Sequence, residues 1–162
     1  MRILGLDPGS RVTGLGVIDG ERLVAAEQLQ LGDGGMPERL AAIYRGVQRL
    51  VEAHGPEVMA IETVFVSRNP SSAIKLGQAR GAAICAAVTA GLEVVEYSPS
   101  QIKQAVVGKG AADKRQVQHM VRALLKSDSR FGADAADALA AALCHLHTAR
   151  TASRLPAGVR LR

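Results

Sequence analysis

Short apolar runs alternate with longer segments of helical period along this chain, and that order limits the folds open to it. Strands are predicted at 1–6, 15–18, 23–31, 58–61 and 92–97, and helices at 36–53, 70–90, 98–107, 113–125 and 133–149. Asp19-Gly20 between the second and third strands is a strong hairpin signal. The pattern predicts an α/β fold with a mixed five-stranded sheet, in which a three-strand meander is followed by two parallel strands, and helices cover both faces.

The length and composition are those of one compact domain. With 162 residues, 48% of them hydrophobic, the chain can bury a substantial core. We expect this domain at 1–150 and a disordered tail at 151–162, where no periodicity is present. The longest uncharged runs have 12 residues, short of the ~18 that a membrane span requires. No secretion signal is recognised, and two cysteines are too few for a disulfide framework, so we expect a cytoplasmic protein with no membrane association.

Positive charge is concentrated in the middle of the chain. The formal net charge is +5, and residues 68–130 contain ten Lys or Arg against four Asp or Glu. A basic face of this kind is typical of proteins that bind a polyanion. Solvated helix faces explain the same charge equally well, so composition alone leaves both interpretations open.

Four acidic residues lie in apolar surroundings, where a carboxylate is costly to bury. Asp7 ends the apolar run 3–6 and Glu62 ends the run 58–61, while Asp134 and Asp137 lie on one face of a helix of small residues. Each acid alone is more simply a helix cap, a turn or one half of an ion pair. As a set that can converge at one sheet edge, the acids indicate a site for a hard cation, Mg²⁺ or Mn²⁺, and hence phosphoryl-transfer chemistry.

Five motifs in chain order give a much more specific signal. They are GLDPGSRVTG at 5–14, AIE at 60–62 followed by Phe65, KLGQARG at 75–81, QVQHMV at 116–121 and DAADALA at 134–140. With these motifs the chain, from residue 1 to about 147, closely resembles the bacterial RuvC Holliday-junction endonucleases. The resemblance implies an RNase H-like fold in which Asp7, Glu62, Asp134 and Asp137 bind the metal and are catalytic.

The resemblance also implies an activity, a cofactor and partners. The expected enzyme is a structure-selective, Mg²⁺-dependent endonuclease that resolves four-way DNA junctions during recombination and repair. It would do so as a homodimer, by paired symmetric nicks in two strands of like polarity. One or two ions per subunit are expected, with Mn²⁺ also supporting activity, and the partners are the RuvA and RuvB branch-migration proteins.

Further site residues follow from the same resemblance. Lys103 and Lys114 match basic catalytic residues near the scissile phosphate. Phe65 matches an aromatic that contacts bases at the junction centre, although a Phe anchoring its loop to the core is the simpler alternative. Weaker candidates for DNA-backbone contacts are Arg68, Lys75, Arg80, Lys109 and Arg115.

The central helix has a stripe of small residues every fourth position. Gly77, Gly81, Cys85 and Thr89 form this stripe, which permits another backbone to approach closely. Packing on the protein's own sheet is one interpretation and a dimer interface is the other. The two-fold symmetry of a junction favours at least a partial role in a dimer.

Three other functions remain open at this point. Asp-Pro-Gly-Ser followed by Thr13-Gly14 resembles the phosphate loop of actin-like ATP-binding proteins, but these need two such domains and do not explain Asp134 and Asp137. A junction-binding protein without catalysis has no reason to keep four acids in apolar surroundings. A nuclease of the same fold acting on RNA–DNA hybrids is the nearest alternative, and only the family motifs argue against it.

Overall fold

The computed structural model describes residues 1–63, 69–127 and 129–154. Within these ranges the strands are β1 (Arg2–Asp7), β2 (Val12–Asp19), β3 (Arg22–Gln30), β4 (Val58–Glu62) and β5 (Glu93–Tyr97). The helices are α1 (Met36–His54), α2 (Pro70–Thr89), α3 (Pro99–Val107), α4 (Lys114–Leu124) and α5 (Ala133–Arg154). Every strand and helix expected from the sequence pattern is therefore present.

The strands form one mixed sheet in the order β3-β2-β1-β4-β5. Neighbours among β1, β2 and β3 are antiparallel, whereas β4 runs parallel to β1 and β5 runs parallel to β4. The predicted meander followed by two parallel strands is confirmed. Because β1 and β4 run in the same direction, their carboxyl ends meet at one edge of the sheet.

Alternation of side chains along the strands separates two hydrophobic cores. On one face, Leu4 and Met59 pack with residues of α1 and α2. On the other face, Ile3, Val58 and Ala60 pack with residues of α3, α4 and α5. Helices on both faces are therefore confirmed. Across the described ranges, no helix is both long enough and apolar enough to cross a membrane.

Glycines in β1 and β2 let α5 lie directly on the sheet. Gly5 and Gly16 are paired across these two strands. A Cβ at Gly5 would overlap the carbonyl oxygen of Ala138, and a Cβ at Gly16 would lie 2.6 Å from the Leu139 side chain. The backbone and side chains of α5 thus occupy the space where strand side chains would otherwise stand, an approach that glycine permits.

The last helix is longer than its sequence pattern indicates. α5 reaches Arg154, so 151–154 are helical, which corrects the expected start of the disordered tail; 155–162 lie outside the described residues. The hydroxyl of Thr151 donates to the carbonyl oxygen of His147 one turn earlier. Arg150 pairs with Glu21, which lies in the hairpin between β2 and β3. These contacts continue the helix beyond its apolar stretch.

Candidate active site

Asp7 and Glu62 stand side by side at the ends of β1 and β4. Leu6 pairs with Ile61, so the two acids occupy the next position along each parallel strand. Ala60, two residues before Glu62, belongs to the core beneath α5. By strand alternation both acids are therefore on the face that α5 covers. This is the convergence at a sheet edge that their positions in the sequence predict.

Asp134 and Asp137 are brought to the same place by the first turns of α5. Asp7 pairs across the sheet with Gly14, and a Cβ at Gly14 would overlap the carbonyl oxygen of Asp134. Asp137 follows one turn later on the same helix face. Asp7 experiences the charges of Glu62, Asp134 and Asp137 together, so the four acids form one electrostatic cluster.

Burial and mutual repulsion both act on this cluster. The pKa of Asp7 is raised from 3.8 to about 7, mainly because burial removes water from its carboxylate. Repulsion from the other three acids adds to this rise, and Lys114 opposes it. Burial is also the main reason that the pKa of Glu62 is raised, with Asp137 contributing. Additional positive charge at this position would favour the ionised carboxylates.

Lys114 is placed in the cluster by the start of α4. The side chain of Asp113 accepts a hydrogen bond from the Gln116 backbone N–H, while the Gln116 side chain accepts one from the Asp113 N–H. This capping box makes Lys114 the first residue of the helix. Its Nζ lies 2.7 Å from Oδ2 of Asp137, and this contact is the main reason that the pKa of Lys114 is raised.

Lys103, on α3, lies close enough to the cluster for its charge to act on Glu62. Its positive charge lowers the pKa of Glu62 and partly offsets the effect of burial. An open pocket of about 260 Å³ lies between α3, α4 and α5. Its lining combines charged and apolar side chains: Glu62, Pro99, Ile102, Lys103, Lys114, Val117, Asp137 and Ala140. The structure thus brings the four predicted acids and both predicted lysines together.

The donor set fits a hard divalent cation, although the side chains are not arranged as a finished cage. Among the residues described, no three acidic, histidine or cysteine side chains are close enough to form one. Two of the acids are engaged by protein partners: Asp137 by Lys114, and Asp134 by a hydrogen bond from Nε2 of Gln28. All-oxygen donors suit a hard cation such as Mg²⁺ or Mn²⁺, and its positive charge would offset the burial and repulsion that raise the pKa of Asp7.

The predicted DNA-contact residues are not gathered in one place. Lys75 on α2, Lys109 after α3 and Arg115 on α4 are exposed. Arg80 is partly buried, and its guanidinium lies 2.5 Å from the Glu96 carboxylate, so it links α2 to β5. Phe65 and Arg68 lie outside the described residues.

Gln28 is a site residue that the sequence analysis missed. It lies on β3 and pairs with Gly14 of β2, so Glu62, Asp7, Gly14 and Gln28 form one row across the sheet. Ala26, two residues earlier, packs against the core beneath α5, which places Gln28 on the same side. Strand alternation and hairpin register could have indicated this position, but its contact with Asp134 also depends on the placement of α5.

Comparison with known proteins gives close relatives across nearly the whole chain. The family model described as Crossover junction endodeoxyribonuclease RuvC matches residues 3–145. A protein of that name from Alkalilimnicola ehrlichii is 58% identical over 158 residues, which cover 95% of this chain and 96% of the relative. The protein of the same name from Methylococcus capsulatus is 54% identical over 162 residues, with 98% of each chain covered.

Solved structures agree with the fold. Thermus thermophilus RuvC is 37% identical with a TM-score of 0.86, and its structure in complex with Holliday junction substrate gives 0.87; each covers 94% of this chain and 97% of the other. The yeast mitochondrial Holliday junction resolvase Ydc2, 13% identical over 94% of this chain and 80% of its own, has a TM-score of 0.66 and shares the fold. The expected RNase H-like fold is confirmed, and the chain belongs to the RuvC family of crossover junction endodeoxyribonucleases.

Proposed function

We propose that this chain is an endonuclease that resolves Holliday junctions by paired, symmetric nicks in two strands of like polarity, during recombination and repair. The observation that carries the proposal is the cluster of Asp7, Glu62, Asp134 and Asp137 beside Lys114 at the edge of the sheet. Relatives more than 50% identical have the name crossover junction endodeoxyribonuclease. Thermus thermophilus RuvC has been solved with a Holliday junction substrate.

The four acids would hold Mg²⁺, one or two ions per subunit, with Mn²⁺ able to replace it. When bound, such an ion polarises the scissile phosphate and activates a water for hydrolysis. The chain's own contribution is to bring four partly buried carboxylates to one edge of the sheet. Asp7 and Glu62 are held there by paired strands, and Asp134 and Asp137 by the helix that packs on those strands.

The two lysines are proposed to bind the phosphate that is cut. The side chain of Lys114 is 58% exposed although it pairs with Asp137, so an incoming phosphate could approach it from solvent. Lys103 lines the same pocket from α3. Two positive charges at this position would offset the negative charge that develops on the phosphate during cleavage.

The remaining DNA contacts are proposed outside this pocket. Lys75, Lys109 and Arg115 have exposed side chains suited to the DNA backbone. Phe65 is proposed to stack on bases at the junction centre, and Arg68 is proposed to contact the DNA backbone. Arg80 stays a weaker candidate, since a DNA contact would compete with its ion pair to Glu96.

A homodimer is proposed through the outer side of α2. Ile74 and Val88 on this helix are 63% and 57% exposed. A Cβ added at Gly77 or Gly81 would meet nothing within 4 Å, so the strip is open to the approach of another backbone. Two subunits related by a two-fold axis would present two sites to a two-fold symmetric substrate.

The wider context follows from the same activity. Proteins of the RuvA and RuvB type, which move the junction, are the proposed partners. Residues 1–150 are proposed to form the nuclease domain. Cys85 and Cys144 are free thiols, which agrees with the proposed location in the cytoplasm, where thiols stay reduced.

The test is cleavage of a synthetic four-way junction with and without Mg²⁺, with a linear duplex and an RNA–DNA hybrid as control substrates. We expect symmetric nicks in the junction alone, dependent on Mg²⁺ and abolished by EDTA. Asp7→Asn should stop cleavage and leave junction binding intact, because the substitution removes a proposed metal ligand but does not remove a contact with the DNA phosphates. Preferred cutting of the hybrid would favour the hybrid-nuclease alternative. Junction binding without cleavage in the presence of any metal would favour the junction-binding protein without catalysis. An assay of ATP hydrolysis would then test the actin-like alternative.

A further inference from the structure

The acids of the site are held in two different ways, and one of them involves a residue outside the family motifs. Asp137 is paired with the charged Lys114. Asp134 accepts a hydrogen bond at Oδ2 from the neutral side-chain amide of Gln28. Gln28 lies on the outermost strand of the meander, 106 residues earlier in the chain. The contact therefore links β3, at one edge of the sheet, to α5, which carries Asp134 and Asp137.

The neighbouring backbone leaves a defined space for this amide. Gly132 immediately precedes α5, and a Cβ at that position would overlap Oε1 of Gln28 and lie 2.9 Å from its Nε2. Gly14, the strand partner of Gln28, leaves room for the backbone of Asp134 in the same way. Gln28 therefore fits between a glycine on the adjacent strand and a glycine at the start of the helix.

We infer that Gln28 is a positioning residue for the metal-binding carboxylate of Asp134. By engaging Oδ2, it fixes the rotation of the carboxylate and leaves Oδ1 as the oxygen available to a cation. Carboxylate ligands of metals are commonly oriented by such outer hydrogen bonds. An amide can hold the carboxylate without neutralising it, whereas the ammonium of Lys114 competes with a cation for Asp137. This inference rests on the proposed function of the acids as metal ligands and adds a residue to it.

The principal variant is Gln28→Met, which keeps the length of the side chain and removes the donor. Gln30→Met is the matched control, because Gln30 lies two positions further along β3 and is also exposed. Gly132→Ala tests the same hydrogen bond from the other side, since its methyl group would displace the amide of Gln28. The displaced group is the end of a flexible side chain, so this variant should fold.

The first readout is Mn²⁺ binding to the whole protein without DNA, measured by electron paramagnetic resonance of the free ion. We expect Gln28→Met to raise the dissociation constant ~10-fold, in the range for loss of an outer hydrogen bond to a metal ligand. Gly132→Ala should have a similar effect, and the double variant should be no worse than either single variant. Gln30→Met should bind Mn²⁺ as the wild type does.

The second readout separates positioning from general damage. The Mg²⁺ concentration for half-maximal junction nicking should rise by the same factor in Gln28→Met, while the maximal rate at saturating Mg²⁺ stays close to that of the wild type. Unchanged Mn²⁺ binding in Gln28→Met, together with weakened binding in Asp7→Asn, would overturn the role of Gln28 and leave the metal site standing. Failure of the wild type itself to bind Mn²⁺ would overturn the metal site and this inference with it.

Discussion

The raised pKa of Asp7 predicts that this carboxylate opposes folding at neutral pH when no cation is present. In the unfolded chain the group titrates near 3.8, and in the folded chain near 7. Between these values the folded state binds more protons than the unfolded state, so stability falls as the pH rises from about 4 to 7. Below this window the group is neutral in both states, and above it the full cost is present.

The magnitude follows from the two pKa values. At 1.36 kcal/mol for each pH unit, the rise from 3.8 to about 7 corresponds to about 4 kcal/mol of lost stability above pH 7. At pH 5 the same relation gives a loss of only about 1–2 kcal/mol in the stability of the folded protein. Asp7→Asn removes the charge at all pH values. The variant should therefore exceed the wild type in stability by up to about 4 kcal/mol at pH 8.5, and by much less at pH 5.

Urea unfolding in EDTA at pH 5 and pH 8.5, followed by circular dichroism, measures this difference. Asp33→Asn, in the exposed loop before α1, is the matched control and should change stability little at either pH. Added Mg²⁺ should stabilise the wild type at pH 8.5 and have little effect on Asp7→Asn. An equal gain for Asp7→Asn at both pH values, or a loss of stability at pH 8.5, would refute the argument that burial of the Asp7 charge, together with repulsion from the other acids, destabilises the folded protein.

Three further perturbations test the lysines, the glycine contact and the basic surface. Lys114→Met should slow nicking ~100-fold and alter the unfolding free energy by less than about 1 kcal/mol, because the lysine side of its ion pair is 58% exposed; a loss of stability large enough to explain the slower nicking would indicate a structural role for this lysine. Gly14→Ala should cost more than about 3 kcal/mol in a urea titration, because its methyl group would overlap the carbonyl oxygen of Asp134; a neutral result would contradict the close contact. Junction binding by fluorescence anisotropy should weaken roughly 100-fold between about 50 and 200 mM salt, which corresponds to about four phosphate contacts, whereas a flat response would exclude a basic binding face.

The acids of the site could be located from the sequence because local rules place them. Asp7 and Glu62 end apolar runs that form parallel neighbours, so strand direction and side-chain alternation are enough to bring them to one edge and one face. Asp134 and Asp137 share a helix face by their spacing alone. The first argument needs only the order of strands expected for this fold class, and the second needs only helical spacing.

Other contacts could not be found in this way because they depend on distances between elements far apart in the chain. The hydrogen bond from Gln28 to Asp134 requires the register of β3 on β2 and the height of α5 above the sheet. The pairing of Arg80 with Glu96 requires the position of α2 relative to β5. The extension of α5 to Arg154 involves an ion pair from Arg150 to Glu21 in a hairpin. The charge pattern and the helical period of the sequence do not indicate this hydrogen bond, either ion pair or the extension of the helix.

The glycines beneath α5 have a consequence for how the spacing of the acids can vary among related sequences. Because Gly5 and Gly14 face helix backbone, the gap between Asp7 and the two acids of α5 is set by the thickness of the polypeptide itself. Rotamer changes in the surrounding core cannot widen this gap, whereas one methyl group at either glycine would lift the helix and its two carboxylates together. Two glycines, Gly5 and Gly14, therefore help to set the distance between Asp7 and the acids of α5. A search for members of this fold that can act as nucleases should examine these two positions alongside the acids.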